Sequence, residues 1–219
     1  MSQATPQGVE ASMPQQAEGC LGASDLPTLK ATNGGKKKAE GSAKTKSPKV
    51  STASAARLVI QRVETAILVI DAGPPEQQVS IGAGLVVYVC FLKEASVGTV
   101  AELVDLLFRA DLLCLPNEDG SANRKVCLAQ FPQDVDLLVV PQASLAGRLK
   151  ANALQFHSLA PKPEAQELYR RFIEDLRAKA QAEAARVPGR KLRVEAGVYG
   201  NLQRLTFSSP GPFTTCIEI

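Results

Sequence analysis

The chain has 219 residues, of which 45% are hydrophobic and 21% are charged, and its formal net charge at pH 7 is +3. No segment reaches the roughly 18 apolar residues of a membrane-spanning helix, and the five cysteines include no CxxC pair, which argues against a disulfide framework or a zinc site. We therefore expect a cytoplasmic protein with reduced thiols and with no metal, cofactor or membrane association.

The positive charge lies wholly in the first 54 residues. Residues 1–54 hold 7 Lys and 4 acidic residues, whereas residues 55–219 hold 18 basic and 18 acidic residues. The first segment contains too few apolar side chains to offset the entropy of ordering it. We therefore predict a disordered Lys-rich tail over residues 1–54 and one folded domain over residues 55–219. The lysines would suit RNA phosphates or a nuclear address, or would simply be solvated.

The first half of the domain predicts strands and one helix. Residues 57–70 alternate partly between apolar and polar, which predicts a long strand with a break near Glu64. Residues 72–78 contain Gly and Pro and predict a turn. Residues 84–92 are almost continuously apolar, which is typical of a strand buried on both faces at the centre of a sheet. Residues 97–110 place apolar side chains three and four apart, the pattern of an amphipathic helix.

The second half predicts a strand, a helix and three closing strands. An apolar strand over residues 135–140 leads into Pro141. A helix over residues 164–186 follows Pro163 and ends before a Pro-Gly pair. The closing strands are expected at residues 191–198, 201–207 and 213–219. This order fits an α/β or α+β domain with a curved, mixed sheet.

The sequence contains no familiar catalytic constellation. The GxSxG, HExxH and GxxxxGK[ST] patterns are absent, and the single histidine, His157, has no partner at ligand spacing, which favours a structural or exposed residue. Ser144 follows a buried strand and is the best-placed nucleophile, but without a base it would equally hydrogen-bond its own turn. Gln142 would read a base, hold a water or merely end the strand.

A second segment with a restricted backbone precedes the last predicted strand. Pro210 and Pro212 flank Gly211 in the string SPGPFT. A Gly-Pro peptide has little preference for the trans form, and glycine lets the backbone approach a ligand closely. The segment is therefore either an ordinary turn or a rigid wall that excludes one side of a substrate.

Four strings resemble the D-aminoacyl-tRNA deacylase family in order and spacing, over nearly all of residues 57–219. They are VIQRV at 59–63, GLVVYVCF at 84–91, PQASL at 141–145 and SPGPFT at 209–214. The family usually has SQFTL and NxGP[VF]T at the last two, so Ala143 stands in place of Phe and Ser209 in place of Asn. PQASL, with GRLK at 147–150, ELYRRF at 167–172 and YGN at 199–201, resembles the second deacylase of animals, which tolerates L-alanine on threonine tRNA. QRV at 61–63 is more similar to the D-specific branch.

The resemblance implies a fold, an activity and an assembly. The fold is that of D-aminoacyl-tRNA deacylases, a curved mixed sheet or barrel with two main helices. The activity is hydrolysis of the ester that joins glycine, a D-amino acid or L-alanine to the 3′-terminal adenosine of tRNA, in translation proofreading. The partner is aminoacyl-tRNA, and the assembly is a homodimer with active sites near the subunit interface.

The resemblance also assigns site residues. The catalytic segment falls on Gln142, Ala143 and Ser144, where backbone amides and the 2′-hydroxyl of the RNA would act without an obligatory side-chain nucleophile. Gly211 and Pro212 fall on a chirality gate that acts through main-chain atoms. Further substrate contacts are expected from Pro141, Arg62, Phe213 and Thr214.

Two alternatives stay open. One is a non-catalytic RNA-binding module that keeps the fold and uses the tail lysines for phosphates, because a neutral folded domain attracts RNA poorly. The other is a conventional ester hydrolase with Ser144 as nucleophile.

Overall fold

The structure is a computed structural model that describes residues 54–117, 123–211 and 213–219. Nearly all of the predicted tail lies outside these ranges, as does Pro212. In chain order the elements are β1 (Ala56–Val63), β2 (Thr65–Asp71), β3 (Gln77–Ile81), β4 (Gly84–Phe91), α1 (Val97–Arg109), β5 (Leu113–Leu115), β6 (Arg124–Val126), β7 (Val135–Pro141), a 3-10 turn (Ala143–Ala146), β8 (Arg148–Lys150), β9 (Ala153–Gln155), α2 (Lys162–Ala184), β10 (Leu192–Ala196), β11 (Arg204–Ser208) and β12 (Thr214–Glu218).

The main sheet has five strands in the order β10-β7-β4-β1-β12. β4, β7 and β10 run parallel to one another, whereas β1 pairs antiparallel with β4 and with β12. Parallel strands need long crossover connections, and α1 and α2 provide them. The sheet is therefore mixed, with the nearly continuous apolar strand β4 at its centre.

The two faces of the main sheet are covered differently. The odd-numbered residues of β4 join a large core with both helices, in which Leu103, Phe172 and Leu176 are fully buried. On the opposite face, Val86 and Leu138 pack with the smaller sheet β11-β2-β3 through Ala66 and Leu68. The smaller sheet covers the main sheet near the end of β1. The other end of the same face of the main sheet is left for the turn that follows β7.

The predicted architecture is confirmed in its main elements. Both helices, the mixed sheet and the break near Glu64 are present, and α2 begins two residues earlier than expected. The short strands β3, β5, β6, β8 and β9 were missed because each has five residues or fewer and little apolar alternation. Among the described residues the strands form open sheets, so the barrel alternative is wrong. Neither helix is long and apolar enough to cross a membrane, within the part of the chain that is described.

Candidate active site

The segment after β7 is a tight turn fixed mainly through its carbonyl groups. The N–H of Gln142 donates to Val89 O at 2.9 Å, and its carbonyl accepts from Leu145 N at 3.2 Å. The Ser144 carbonyl accepts from the N–H of Gly147 at 3.0 Å. Ala146 is fully buried, so the turn is anchored to the sheet at its last residue.

The Arg57 side chain of β1 holds the same turn through a hydrogen bond. Its Nη1 donates to the Leu145 carbonyl at 2.8 Å, and its Nη2 lies 3.2 Å from Glu218 of β12. The Arg57 side chain is 20% exposed. The position of the turn therefore depends on a charged donor from a neighbouring strand as well as on the turn's own bonds.

The turn presents two backbone donors without acceptors. Among the hydrogen bonds of the described residues, none is donated by the N–H groups of Ala143 or Ser144, and both residues are exposed. Adjacent, fixed N–H groups are the usual means of stabilising an oxyanion in acyl transfer. This is the arrangement that an ester hydrolase without a side-chain nucleophile requires.

A cavity of 360 Å³ lies against Ala143, whereas Ser144 does not line it. Pro141, Gln142 and Ala143 form one side of it, and Lys162 and Tyr199 lie in its wall, together with Leu159, Ala160, Gly200 and Asn201. Pockets for small ligands have volumes of roughly 300–1,000 Å³, so the space is sufficient for a nucleoside. The structure thus brings three of the predicted site residues together around one cavity.

Hydrogen bonds and a ring contact hold the far wall of this cavity in place. The Tyr169 hydroxyl lies 2.9 Å from Gly197 O and 3.2 Å from Val139 O, and the Tyr169 and Tyr199 rings are 5.8 Å apart. Burial raises the pKa of Tyr169 and of Tyr199, so both phenols stay protonated at neutral pH. The Asn201 amide donates to Ile70 O at 3.1 Å. The tyrosine and asparagine groups on this side of the cavity are therefore neutral and preorganised.

The described residues do not supply a general base for Ser144. Its hydroxyl makes no hydrogen bond, either to a base or to its own turn, and the exposed His157 makes none either. Burial raises the pKa of Cys90, which keeps this neighbouring thiol neutral despite the nearby guanidinium of Arg57. No group of three metal-ligating side chains occurs among the described residues. A conventional Ser144 triad is therefore without support.

The predicted gate segment forms a second cluster. Gly211 has φ +151°, which lies in the region that favours glycine. The Arg62 guanidinium lies 4.7 Å from the centre of the Phe213 ring, and its Nη2 donates to Leu112 O at 2.7 Å. Arg62, Phe213 and Thr214 line a cavity of 350 Å³ that is separate from the first. Pro212 lies outside the described residues.

Two polar residues support this second cluster. Gln61 is 7% exposed; its amide donates to the Ser209 hydroxyl at 2.9 Å, and its carbonyl oxygen accepts from the Thr214 hydroxyl. The Ser209 hydroxyl also lies 3.0 Å from Arg62 O and within hydrogen-bond distance of Gly211 O. The Ser209 hydroxyl thus fixes the loop through hydrogen bonds to its backbone.

The two clusters lie at opposite ends of β1. Arg57 contacts the turn, and Gln61 and Arg62 contact the gate segment. Five strand residues span about 17 Å at 3.3–3.4 Å each. Within one chain the structure therefore does not bring the predicted catalytic turn and the predicted gate into one cavity.

Sequence reasoning missed several residues of these clusters. Lys162, Tyr169 and Asn201 were not singled out for the first site, and Gln61 was not singled out for the second. Tyr199 and Asn201 belong to the YGN motif and Gln61 belongs to VIQRV, so the motifs already contained these three residues. The spatial neighbours of each motif could not be read from its spacing.

Comparison with known proteins identifies the family. The family described as D-Tyr-tRNA(Tyr) deacylase matches residues 59–218. The chain is 36% identical over 152 residues to D-aminoacyl-tRNA deacylase 2 of Homo sapiens, covering 68% of this chain and 83% of that protein. It is 33% identical over 148 residues to D-aminoacyl-tRNA deacylase 2 of Gallus gallus, covering 68% and 84%.

A solved structure supports the same family assignment. A "probable eukaryotic D-amino acid tRNA deacylase" superposes with a TM-score of 0.63 at 27% identity, covering 75% of this chain and 99% of that one. The predicted fold and the resemblance to the second deacylase of animals are confirmed. The chain therefore belongs to the D-Tyr-tRNA(Tyr) deacylase family.

Proposed function

We propose that this protein is a cytoplasmic, homodimeric deacylase that hydrolyses the ester between a misattached amino acid and the 3′-terminal adenosine of tRNA. The observation that carries the proposal is the pair of free N–H groups at Ala143 and Ser144, the first of which lines a nucleoside-sized cavity, in a chain of this family. The amino acid is glycine, a D-amino acid or L-alanine, as the resemblance implies. The reaction serves proofreading in translation.

The chemistry needs little from side chains. An aminoacyl ester is already activated, so orientation of water or of the vicinal 2′-hydroxyl supplies a large part of the barrier reduction. The two N–H groups then stabilise the negative charge that develops on the carbonyl oxygen. The exposed hydroxyl of Ser144 takes no part in this step.

A second copy of the chain completes the site. The gate lies about 17 Å along β1 from the turn of its own chain, too far to contact the same amino acid. Around that gate, Phe213 is 54% exposed and Phe207 is 43% exposed, and these rings are available to a partner. In the proposed dimer, the gate segment around Gly211 of one protomer faces the turn of the other, and its backbone excludes one configuration of the substrate.

One substitution removes a proposed oxyanion donor with little change in backbone shape. Ala143 is the first residue of a 3-10 turn, where the φ of proline is tolerated. We expect Ala143→Pro to lower kcat by about 100- to 1,000-fold, the usual effect of losing one such donor. Ser144→Ala is the matched control and should keep near-normal turnover. Loss of activity in Ser144→Ala, with Ala143→Pro active, would reject the backbone mechanism.

Substrate preference is measured with matched D-tyrosyl-, glycyl- and L-alanyl-tRNA, with a correctly charged L-aminoacyl-tRNA as control. Cleavage of D-tyrosyl- and glycyl-tRNA alone would indicate the D-specific preference, and added cleavage of L-alanyl-tRNA would indicate the relaxed one. Binding of tRNA without cleavage of any substrate would reject the proposal in favour of a binding module.

The dimer has its own test. Mixing an inactive Ala143→Pro protein with a protein that carries a disrupted gate, such as Gly211→Val, should restore part of the activity, because one mixed site keeps an intact turn and an intact gate. Sedimentation of the wild-type chain as a monomer, or failure of the mixture to recover activity after subunit exchange is demonstrated, would contradict it.

A further inference from the structure

The 360 Å³ cavity beside the turn carries one charge in its wall, and Lys162 supplies it. The other described side chains that line this cavity are apolar or neutral, and no carboxylate is among them. Burial raises the pKa of Tyr199, which therefore stays uncharged at neutral pH. An anionic group of a ligand in this cavity would thus meet a net positive charge at Lys162.

The Lys162 ammonium forms no ion pair with any described residue. The other lysine of α2, Lys179, places its Nζ 3.5 Å from Oδ1 of Asp105 and 3.9 Å from Oε1 of Glu183. Lys162 is exposed and lies at the opposite end of the helix. Its charge is therefore available to a ligand, whereas the charge of Lys179 is already balanced by carboxylates.

A loop of fixed shape lies beside the Lys162 side chain. A Cβ added at Gly200 would lie 3.7 Å from Cε of Lys162 and 3.8 Å from its Nζ, so the ammonium lies close to the Gly200 backbone. The Gln203 side chain closes this loop, because it accepts from the Val198 N–H at 2.9 Å and donates to the Val198 carbonyl at 3.1 Å. The cation is therefore placed at the cavity wall beside a preorganised segment.

Helix stability does not account for a lysine at this position. Lys162 is the first residue of α2, and Pro161 before it gives the helix no side-chain cap. The helix macrodipole puts partial positive charge at this end, so a cation here is unfavourable. Glu164 in the first turn complements the dipole, whereas Lys162 opposes it. The same dipole adds to the attraction that the ammonium exerts on an anion.

The charges of the substrate decide which of its groups lies beside Lys162. The terminal adenosine of an aminoacyl-tRNA carries its negative charge on the phosphate that joins its 5′-oxygen to the preceding nucleotide. The α-amino group of the attached amino acid is cationic when protonated. Lys162 attracts the first group and repels the second, while the free N–H of Ala143 lies in the wall of the same cavity.

We propose that Lys162 binds the 5′-phosphate of the terminal adenosine and so orients this nucleotide with its ester toward Ala143. The inference rests on the proposed function, which puts the adenosine in this cavity. Lysine acts on the phosphate as a point charge. The contact is made equally in the ground state and in the transition state, so it contributes to KM and not to kcat.

Binding of two small ligands tests the contact without turnover. We expect the wild-type protein to bind adenosine 5′-phosphate about five- to tenfold more tightly than adenosine, an effect between that of an exposed ion pair and that of a hydrogen bond to a charged group. Lys162→Met keeps an unbranched stem and removes the charge. It should abolish this preference and reduce the salt dependence of nucleotide binding by about 0.7 in slope, the value for one phosphate contact. Lys162→Arg should retain the preference.

Lys179→Met is the matched control, because it removes a lysine of the same helix that lies outside this cavity. It should bind both ligands as the wild-type protein does. The melting temperature of Lys162→Met should not fall, since its side chain opposes the helix dipole. An unchanged preference for adenosine 5′-phosphate in Lys162→Met, or an equal loss of affinity for both ligands, would overturn the inference.

Kinetics provide the second readout. The substrates are D-tyrosine esterified to the 3′-hydroxyl of adenosine 5′-phosphate and the same ester of adenosine. Lys162→Met should raise KM for the first ester about five- to tenfold more than KM for the second, with the ratio of the two kcat values unchanged. KM for D-tyrosyl-tRNA should rise by the same factor. An unchanged KM for D-tyrosyl-tRNA would assign the cation to a free nucleotide and overturn the inference.

The two proposals fail separately. A wild-type protein that cleaves both esters without preferring the phosphate would contradict the role of Lys162 and leave the proposed activity standing. A wild-type protein that binds adenosine 5′-phosphate through Lys162 but cleaves neither ester nor D-tyrosyl-tRNA would contradict the proposed activity and leave the phosphate contact standing.

Discussion

Arg57 offers a direct test of whether the position of the turn controls activity. The substitution is Arg57→Met, which keeps an unbranched stem and removes the donor to the Leu145 carbonyl. A hydrogen bond from a charged group contributes roughly 1.5–3 kcal/mol. The Arg57 side chain is 20% exposed, and its buried Nε has no partner, so its removal also relieves a cost. We therefore expect a loss of about 1–2 kcal/mol in the free energy of unfolding.

The same change should slow catalysis. If the lost free energy falls on the geometry of the free N–H groups in the transition state, about 1–2 kcal/mol corresponds to a roughly 5- to 30-fold fall in kcat. Urea unfolding measures the first quantity, and single-turnover deacylation of D-tyrosyl-tRNA measures the second. KM should change little, because the cavity wall on the α2 side is untouched.

Glu218→Gln is the matched control for Arg57→Met. It removes the ion pair with Arg57 but keeps the donor to Leu145, and an exposed ion pair contributes little to stability. Both stability and kcat should therefore stay near wild type. A loss in Glu218→Gln equal to that in Arg57→Met, or a normal kcat in a destabilised Arg57→Met protein, would refute the reasoning.

Three further predictions concern stability. Gly84→Ala should cost about 3 kcal/mol, because its Cβ would lie 1.9 Å from the backbone oxygen of Asp136, whereas Gly82→Ala, with a nearest contact of 3.6 Å, should be tolerated in the same urea titration. Burial raises the pKa of Asp136, but hydrogen bonds from Arg193 and the Gly82 N–H outweigh it and leave the pKa below its usual value. This stabilisation is complete above the unfolded pKa of about 3.9 and is lost as pH falls through the lower folded pKa. Asp136→Asn should therefore lose less free energy of unfolding than wild type between about pH 6 and pH 3. Equal losses in the two proteins would contradict this. Gln61→Leu should cost about 1–3 kcal/mol, because it removes the amide donor to the Ser209 hydroxyl and the acceptor of the Thr214 hydroxyl, two part-buried hydrogen bonds; an unchanged melting temperature would show that these bonds contribute nothing.

The long elements were predictable because their burial repeats along the chain. β4 is buried at every residue except the half-buried Tyr88, and α1 buries Val100, Leu103, Val104 and Leu107 at helical spacing. The β8–β9 hairpin was not predictable, because its apolar pair Leu149 and Leu154 is exposed and gives no core-facing alternation. Periodicity reports burial, so exposed short strands carry no such signal.

The candidate site was predictable only by motif. PQASL located the turn, but the roles of Ala143 and Ser144 depend on which backbone N–H groups remain without acceptors, and side-chain identity says nothing about that. The separation of the turn from Gly211 follows from the pairing of β1 with β12, residues 150 or more positions apart in the chain. Contacts of that range are not encoded in local spacing.

That pairing also sets the order in which the domain is completed during synthesis. Gln61 is translated 153 residues before its register partner Thr214. At 5–20 residues per second, the two are separated by roughly 8–30 s. Throughout that interval one edge of β1 has no strand beside it, and an open edge is prone to pairing with other chains. The loop that contains Gly211 therefore cannot pack against β1 until β12 has been synthesised.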